Sequence, residues 1–482
     1  MYESTTTQPF LLAVLAIALG PAFQASGQWG EMERLPAVSP HIDGTVMPAI
    51  APVAMNSPQQ TDAGLAQRVA DLEAALQKIH QKEAAARAKA AGKPSVTVGG
   101  RLYLDWANFS QNPNSILQMG NQQNGVEFRR ARLFAKGTAF HVIDYKVQYD
   151  FANTQSTAAN DKLQATSFRD VFITVKELPY LGHVRVGHFK EPYGLEENTS
   201  SKYITFMERA LPIPLIPERN VGVMAFNHSW GKNMTWAIGA FTSRIEDDPP
   251  EFSNDAGNTA LTMRGTFLPW YDEATGGRGL FHLGAAYSFR DIPGDLVWFR
   301  ARPESHLSDR VVDTGNITDV PDYQLLGLEA ALVYGPFSAQ SEYMAAFLNR
   351  NGFADARFDG YYVYVSYFLT GESRRYNRSR AYFERIQPFE NFFLVRDGDG
   401  YIRAGRGAWE IAYRYSYLDL DSAGVVGGRV ADHTLGLNWY LNPYTRMMWN
   451  YVHSDAHRPP AGGGPSIPGA MDIFEMRVQF EF

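Results

Sequence analysis

Few residues in this chain have the type and spacing that covalent chemistry needs. No Cys occurs among 482 residues, which removes a thiol nucleophile, a thiolate metal site and any disulfide framework. The 11 His are scattered, and no HExxH helix, nucleophile elbow or phosphate-cradling glycine loop is present. Asp397-Gly-Asp-Gly400 carries the opening spacing of a calcium loop but lacks the distal Glu and the other ligands, so it reads as a surface turn. Without a catalytic constellation the chain is not expected to be an enzyme, and no cofactor or metal is expected. The side chains left to consider bind rather than react. Among them Arg129 and Arg130 stand side by side.

The elements that must position these charges follow from composition and periodicity. The chain is 45% hydrophobic and 13% aromatic, with 25 Tyr, 30 Phe and 9 Trp, and carries a formal net charge of -7. Its mean hydropathy of -0.28 excludes a bundle of apolar helices. A pI near 5.9 argues against a nucleic-acid partner. An aromatic-rich, Cys-free, mildly acidic chain without a long apolar run has the composition of a transmembrane β-barrel. The apolar run Phe10–Leu19 is too short to span a bilayer as a helix. It fits the core of a signal peptide over 1–27, although Met1–Gln8 carries Glu3 and no Lys or Arg. Residues 28–60 are rich in Pro, Gln, Ser and Ala, as in a flexible linker. Leu65, Val69, Leu72, Leu76 and Ile79 then recur at spacings of 4, 3, 4 and 3. That is the seam of an α-helical coiled coil, here a stalk over 61–92 ended by Gly92-Lys-Pro94, with a solitary amphipathic helix lying on the next domain as the other reading of the same spacing. Three heptads are marginal alone, so the stalk is expected to self-associate, most naturally as a trimer.

After Pro94 the period becomes 2. In the last segment Phe474, Met476, Val478, Phe480 and Phe482 share one face, and Glu475, Arg477, Gln479 and Glu481 the other. The same alternation sets Leu102, Leu104 and Trp106 against Arg101, Tyr103 and Asp105. It sets Trp409, Ile411, Tyr413 and Tyr415 against Glu410, Arg414 and Ser416. Charge on one face and aromatics on the other fit a lipid-facing belt around a polar lumen. A lone His on such a strand, as at His188, reads as a lumen or girdle residue. Sixteen strands are expected, near 95–108, 125–138, 141–153, 166–178, 182–191, 219–231, 234–245, 258–270, 279–291, 321–335, 337–350, 357–371, 407–420, 429–442, 444–455 and 470–482. The fold class is therefore all-β. It is a 16-stranded antiparallel transmembrane β-barrel over 95–482, with an aqueous lumen, behind an N-terminal coiled-coil stalk. Short turns such as Gly335-Pro336 and Asn442-Pro443 alternate with long loops, as periplasmic turns and external loops do.

An ordered set of short runs resembles one family. It includes Gly99-Gly-Arg-Leu102, Phe128-Arg-Arg-Ala131, Tyr193-Gly-Leu-Glu196, Thr199-Ser-Ser-Lys202 and Glu208-Arg209. It continues through Phe337-Ser-Ala-Gln340, Leu369-Thr-Gly-Glu372, Gly407-Ala-Trp-Glu410 and His433-Thr-Leu-Gly436. Together they are similar to the phosphate-selective porin O and P family from about 98 to 482. The terminal Phe482 also resembles that of outer-membrane barrels, where assembly machinery reads it. The resemblance implies a homotrimer in outer-membrane lipid of a Gram-negative-type cell. The stalk would be periplasmic and could contact the cell wall. It implies passive diffusion of small anions, phosphate-like solutes first. It also implies an inward-folded loop, Glu196 to about Arg219, that narrows the pore.

By motif match Arg101, Arg129, Arg130, Lys202 and Arg209 fall on the family's basic positions along the anion pathway, and Asp170 on its aspartate. Glu197 stands where the family has a second loop lysine. Asn377 and Gln387 stand at two further basic positions, with Arg374, Arg375, Arg378 and Arg380 nearby. These departures keep open a general or differently selective porin on the same scaffold, with the stalk as an envelope tether. Asp170 is equally readable as a solute contact or as the salt-bridge partner of a lumenal cation. Arg129 and Arg130 are adjacent, so regular alternation would send one of them into lipid at about 2–4 kcal/mol. Either one sits near the interface or a bulge re-aims it.

Overall fold

The computed structural model describes residues 76–78, 93–152, 167–242, 259–292, 296–396 and 402–482. The expected signal peptide at 1–27, the linker at 28–60 and Asp397–Gly400 lie outside the described residues. So does the stalk at 61–92, apart from Leu76–Lys78, which are helical.

Sixteen strands close into one barrel. They are β1 (Thr97–Gln111), β2 (Gly125–Ala139), β3 (Ile143–Asp150), β4 (Ser167–Leu178), β5 (Gly182–Lys190), β6 (Arg219–Ser229), β7 (Met234–Phe241) and β8 (Thr259–Tyr271). They continue as β9 (Gly279–Asp291), β10 (Asp322–Tyr334), β11 (Phe337–Leu348), β12 (Ala356–Phe368), β13 (Ala408–Ser422), β14 (Val425–Asn442), β15 (Thr445–Arg458) and β16 (Ile467–Glu481). Each pairs antiparallel with its neighbours in chain order. β1 closes on β16, with Arg101 opposite Glu481 and Trp106 opposite Met476. Every expected strand is present within a few residues of its expected limits.

The alternation explains the two surfaces. Leu102, Leu104, Ile411, Leu435, Phe474 and Phe480 are exposed on the outside, while Arg101, Asp105, Glu410, Arg414, Glu475 and Arg477 are buried inside. Outward aromatics gather toward the strand ends. Trp409 stacks on Trp439 at 4.9 Å and Phe480 on Phe482 at 6.0 Å, on the side where the barrel segment begins and ends. Tyr361 meets Tyr415 at 6.0 Å toward the other side. Tight turns such as that at Gly335, which takes φ 58°, lie on the first side. One connection there breaks the short-turn rhythm, because residues 369–407 between β12 and β13 are long.

The interior is only partly an open lumen. Phe206, Leu211, Leu215 and Ile216 from the connection after β5, and Val297, Phe299, Val311 and Val312 from the connection after β9, pack with Leu325, Phe358, Leu418, Val452 and Ile473. These inward strand residues are apolar, so β10–β16 bury the apolar runs of two long connections. Burying such a side chain is worth about 1.5–3 kcal/mol. The expectation of a wholly aqueous lumen is corrected to that extent. The open space lies against the basic inner faces of β1–β8.

Candidate functional site

All six residues singled out from the sequence line one cavity of about 1790 Å³. Its walls are the inward faces of β1–β8, the connection 191–218, and parts of the connections after β9 and β12.

On β2 a bulge puts two neighbours on the same side. Tyr103 faces Arg130, but the next residue, Leu104, faces Phe128, so Arg129 is the extra residue. Arg129 then reaches Glu208 with Nε at 2.8 Å and Nη2 at 3.0 Å. Arg130 is 8% exposed, and its Nε has no partner. It makes no hydrogen bond or ion pair among the described residues. Beyond it the regular period returns, placing Arg132 and Lys136 inward. The register sets Arg101 directly opposite Arg132, and Lys136 directly opposite Lys146. Like charges in these positions destabilise a sheet. Arg132 is offset by Asp150 at 2.5 Å, and Arg101 donates to Ser201 at 2.8 Å.

The other predicted residues are engaged by acids. Asp170 accepts from Lys146, and from Arg219 Nε at 2.7 Å. It is the salt-bridge partner of two lumenal cations. Lys202 pairs with Glu481 at 3.1 Å. Arg209 pairs with Glu197 at 3.0 Å and donates to the carbonyls of Glu196, Glu197 and Thr199 at 3.3 Å. The second oxygen of Glu197 lies 2.7 Å from Lys190 Nζ. Thus the fully buried Glu197, at a position where lysine was expected, neutralises charge instead of adding it. Burial pushes the Glu218 carboxyl up, but Arg209, Arg219, Arg169 and Lys190 outweigh it and hold it at about 2. Burial acts likewise on Glu208, where Arg129 and Arg477 prevail and keep it well below the usual carboxylate range.

Sequence reasoning missed most of the lining. Among the described residues, seventeen Lys and Arg line the cavity against seven Asp and Glu, in a chain of net charge -7. Arg132 and Lys136 were findable by extending the alternation from Arg130. Lys146 and Arg185 would have needed the register of β3 and β5. At the two remaining departures, Asn377 donates to Glu384 at 2.7 Å and Gln387 is exposed. Of the nearby arginines, Arg374 packs on Phe383 at 3.6 Å and Arg378 pairs with Glu273 at 2.7 Å. Arg380 lines the cavity.

Known proteins similar to this chain include porins. Porin O of Pseudomonas aeruginosa is 28% identical over 424 residues, covering 80% of this chain and 88% of that protein. An uncharacterized protein of Caulobacter vibrioides is 29% identical over 381 residues, covering 75% and 70% respectively. Among solved structures, an anion-selective porin from Comamonas acidovorans has a TM-score of 0.48 at 12% identity, covering 81% of this chain and 100% of that one. The family model of the phosphate-selective porin O and P proteins matches residues 96–482. The whole barrel, with its basic inner wall, lies within that match, and the chain belongs to the phosphate-selective porin O and P family.

Proposed function

We propose that this outer-membrane porin passes small anions by diffusion, phosphate-like solutes among them. The observation that carries the reading is the charge of the lumen: among the described residues, seventeen basic side chains line the cavity against seven acidic ones. Such a wall raises the local anion concentration, and passage requires only that binding stay weak. Arg130, buried and without a hydrogen-bond or ion-pair partner among the described residues, is the best-placed contact, and Arg guanidinium groups meet phosphate with two parallel donors. Arg101, Arg129, Lys202 and Arg209 shape the field around it, and Asp170 orders Lys146 and Arg219.

The segment 196–219 is the narrowing element of this proposal. Its carbonyls at Lys202, Ile204, Thr205 and Glu208 accept from Gln479, Arg446, Asn438 and Arg414 of the far wall. Those bonds support an inward, fixed position. The active form is a homotrimer, with the coiled-coil stalk periplasmic and tethering the barrel toward the cell wall.

One observation favours a second reading on the same scaffold. Arg129, Lys202 and Arg209 are all paired with carboxylates, which weakens phosphate selectivity relative to general anion selectivity. Single-channel recording in planar bilayers separates the two. Anion-selective steps blocked by submillimolar phosphate support the first reading, and anion-selective steps without block support the second. Absence of stepwise conductance refutes both.

A further inference from the structure

Away from the arginines of β1 and β2, another guanidinium faces the cavity on an aromatic bed. Arg185 of β5 lies 4.0 Å above the Phe172 ring, with Phe226 at 5.2 Å and Phe189 at 5.3 Å. Its Nε donates to Thr174 Oγ1 at 3.0 Å, the residue directly opposite on β4. Among the described residues Arg185 has no ion pair, and no hydrogen bond from its terminal nitrogens. Contrast Lys146 and Arg219, both held by Asp170.

The backbone leaves room for this arrangement. Gly187, two residues on and facing the same way, takes φ 135°. A Cβ there would sit 2.2 Å from the Val171 carbonyl oxygen and 2.7 Å from Phe172 Cα. Glycine therefore lets Phe172 come in close and lie beneath the guanidinium.

We propose that Arg185 on its phenylalanine platform is a second anion subsite, one that selects organic carboxylates with an aromatic or apolar body. The inference rests on the porin reading and names a solute class within it. A single guanidinium edge matches the two oxygens of one planar carboxylate. The rings around it hold the guanidinium flat and leave apolar ring surface at its rim, which a hydrated inorganic anion cannot use. Met224, directly opposite Arg185 on β6, and Ala237, directly opposite Phe226 on β7, line the same cavity and pack with these rings, so the body of such a solute finds further surface away from water.

The test uses the full-length protein in detergent, with 4-fluorobenzoate as probe and ¹⁹F line broadening as readout. This readout does not require conduction. Competition by unlabelled benzoate and by acetate measures the contribution of the ring. The expected result is benzoate competing at least about fivefold better than acetate. Arg185→Gln should abolish the broadening. Phe172→Leu should weaken benzoate about threefold or more and leave acetate unchanged. Arg185→Lys keeps the charge without the flat fork and should fall between. Block of the chloride current by benzoate, lost in Arg185→Gln while phosphate block persists, would place the subsite on the conduction path. Equal competition by acetate and benzoate, or unchanged broadening in folded Arg185→Gln, would overturn the proposal. A protein that conducts nothing refutes the porin reading, and the ¹⁹F titration still decides the subsite.

Discussion

Glu197 should act as a tethered counter-ion, and removing its charge should make the pore bind anions more tightly. Its carboxylate sits 2.7 Å from Lys190 and 3.0 Å from Arg209, and both cations line the cavity. Glu197→Gln keeps the shape and releases one unit of positive field. A monoanion about 5 Å away gains about 0.8 kcal/mol in water and about 3 kcal/mol at an effective dielectric near 20. A cavity of about 1790 Å³ is wet, which favours the lower part of that range. We expect about 1–2 kcal/mol, or roughly a 5- to 30-fold lower midpoint for phosphate block. The anion-to-cation permeability ratio should rise with it. Glu197→Lys should go further in the same direction. The effect should be large at 0.1 M salt and small at 1 M, where screening shortens from about 10 to about 3 Å. The assay is reversal potential and phosphate block in planar bilayers, on protein whose barrel is verified by heat-modifiable gel mobility. Loss of one partner of a buried ion pair costs about 3–5 kcal/mol, so folding must be checked first. A folded Glu197→Gln barrel with selectivity and block within about twofold of the parent would refute the counter-ion argument.

Arg130→Gln should reduce anion selectivity with little loss of stability, because the Arg130 side chain makes no hydrogen bond or ion pair among the described residues. Arg129→Gln should cost about 1–3 kcal/mol in thermal or urea unfolding by leaving Glu208 under-compensated. Equal stability losses in the two variants would contradict this. His306 contacts Glu127 at 2.8 Å, and burial, then Arg129, push its imidazole down to about 4, against the pull of Glu127. The native state therefore binds fewer protons than the unfolded chain between about pH 6.5 and pH 4. Stability is full above that window and falls by up to about 3 kcal/mol as pH drops through it. His306→Gln should flatten this dependence, read by thermal unfolding at pH 7.5 and 4.5. Deleting residues 62–91 should leave single-channel conductance unchanged and lower trimer stability on gels. Loss of conductance with an intact barrel would count against the tether.

The barrel was legible because one period decides it. Alternation such as Phe474 to Phe482 against Glu475 to Glu481 must place opposite chemistry on opposite faces, whatever the neighbouring strands do. The fillings of the barrel were not legible in this way. Phe358, Leu418, Val452 and Ile473 face inward although they are apolar. What makes those positions favourable is the connection after β9, with Phe299 and Val312, arriving from elsewhere in the chain. Nothing local to the strand announces that partner. The same holds for Glu304, which accepts from Arg414, Ser416 and Thr434 across the interior.

The bulge at Arg129 shows where local reasoning ends and pairing begins. Two adjacent arginines could have meant one costly charge in lipid or one local break in the ladder, and the sequence alone permitted both. Pairing decides between them, because Tyr103 takes Arg130 and Leu104 takes Phe128. The strand thereby keeps Phe128 outward and gains a second inward arginine. That extra arginine anchors Glu208 of the connection 191–218, while Arg130, lining the cavity, makes no hydrogen bond or ion pair among the described residues. Net charge conceals this arrangement for the same reason. The sum of -7 counts acids across the whole chain, whereas the fold gathers seventeen cations and seven acids of the described residues around one cavity. Selectivity therefore depends on which lumenal cations already have a carboxylate. Glu197, Glu208 and Asp170 set that number.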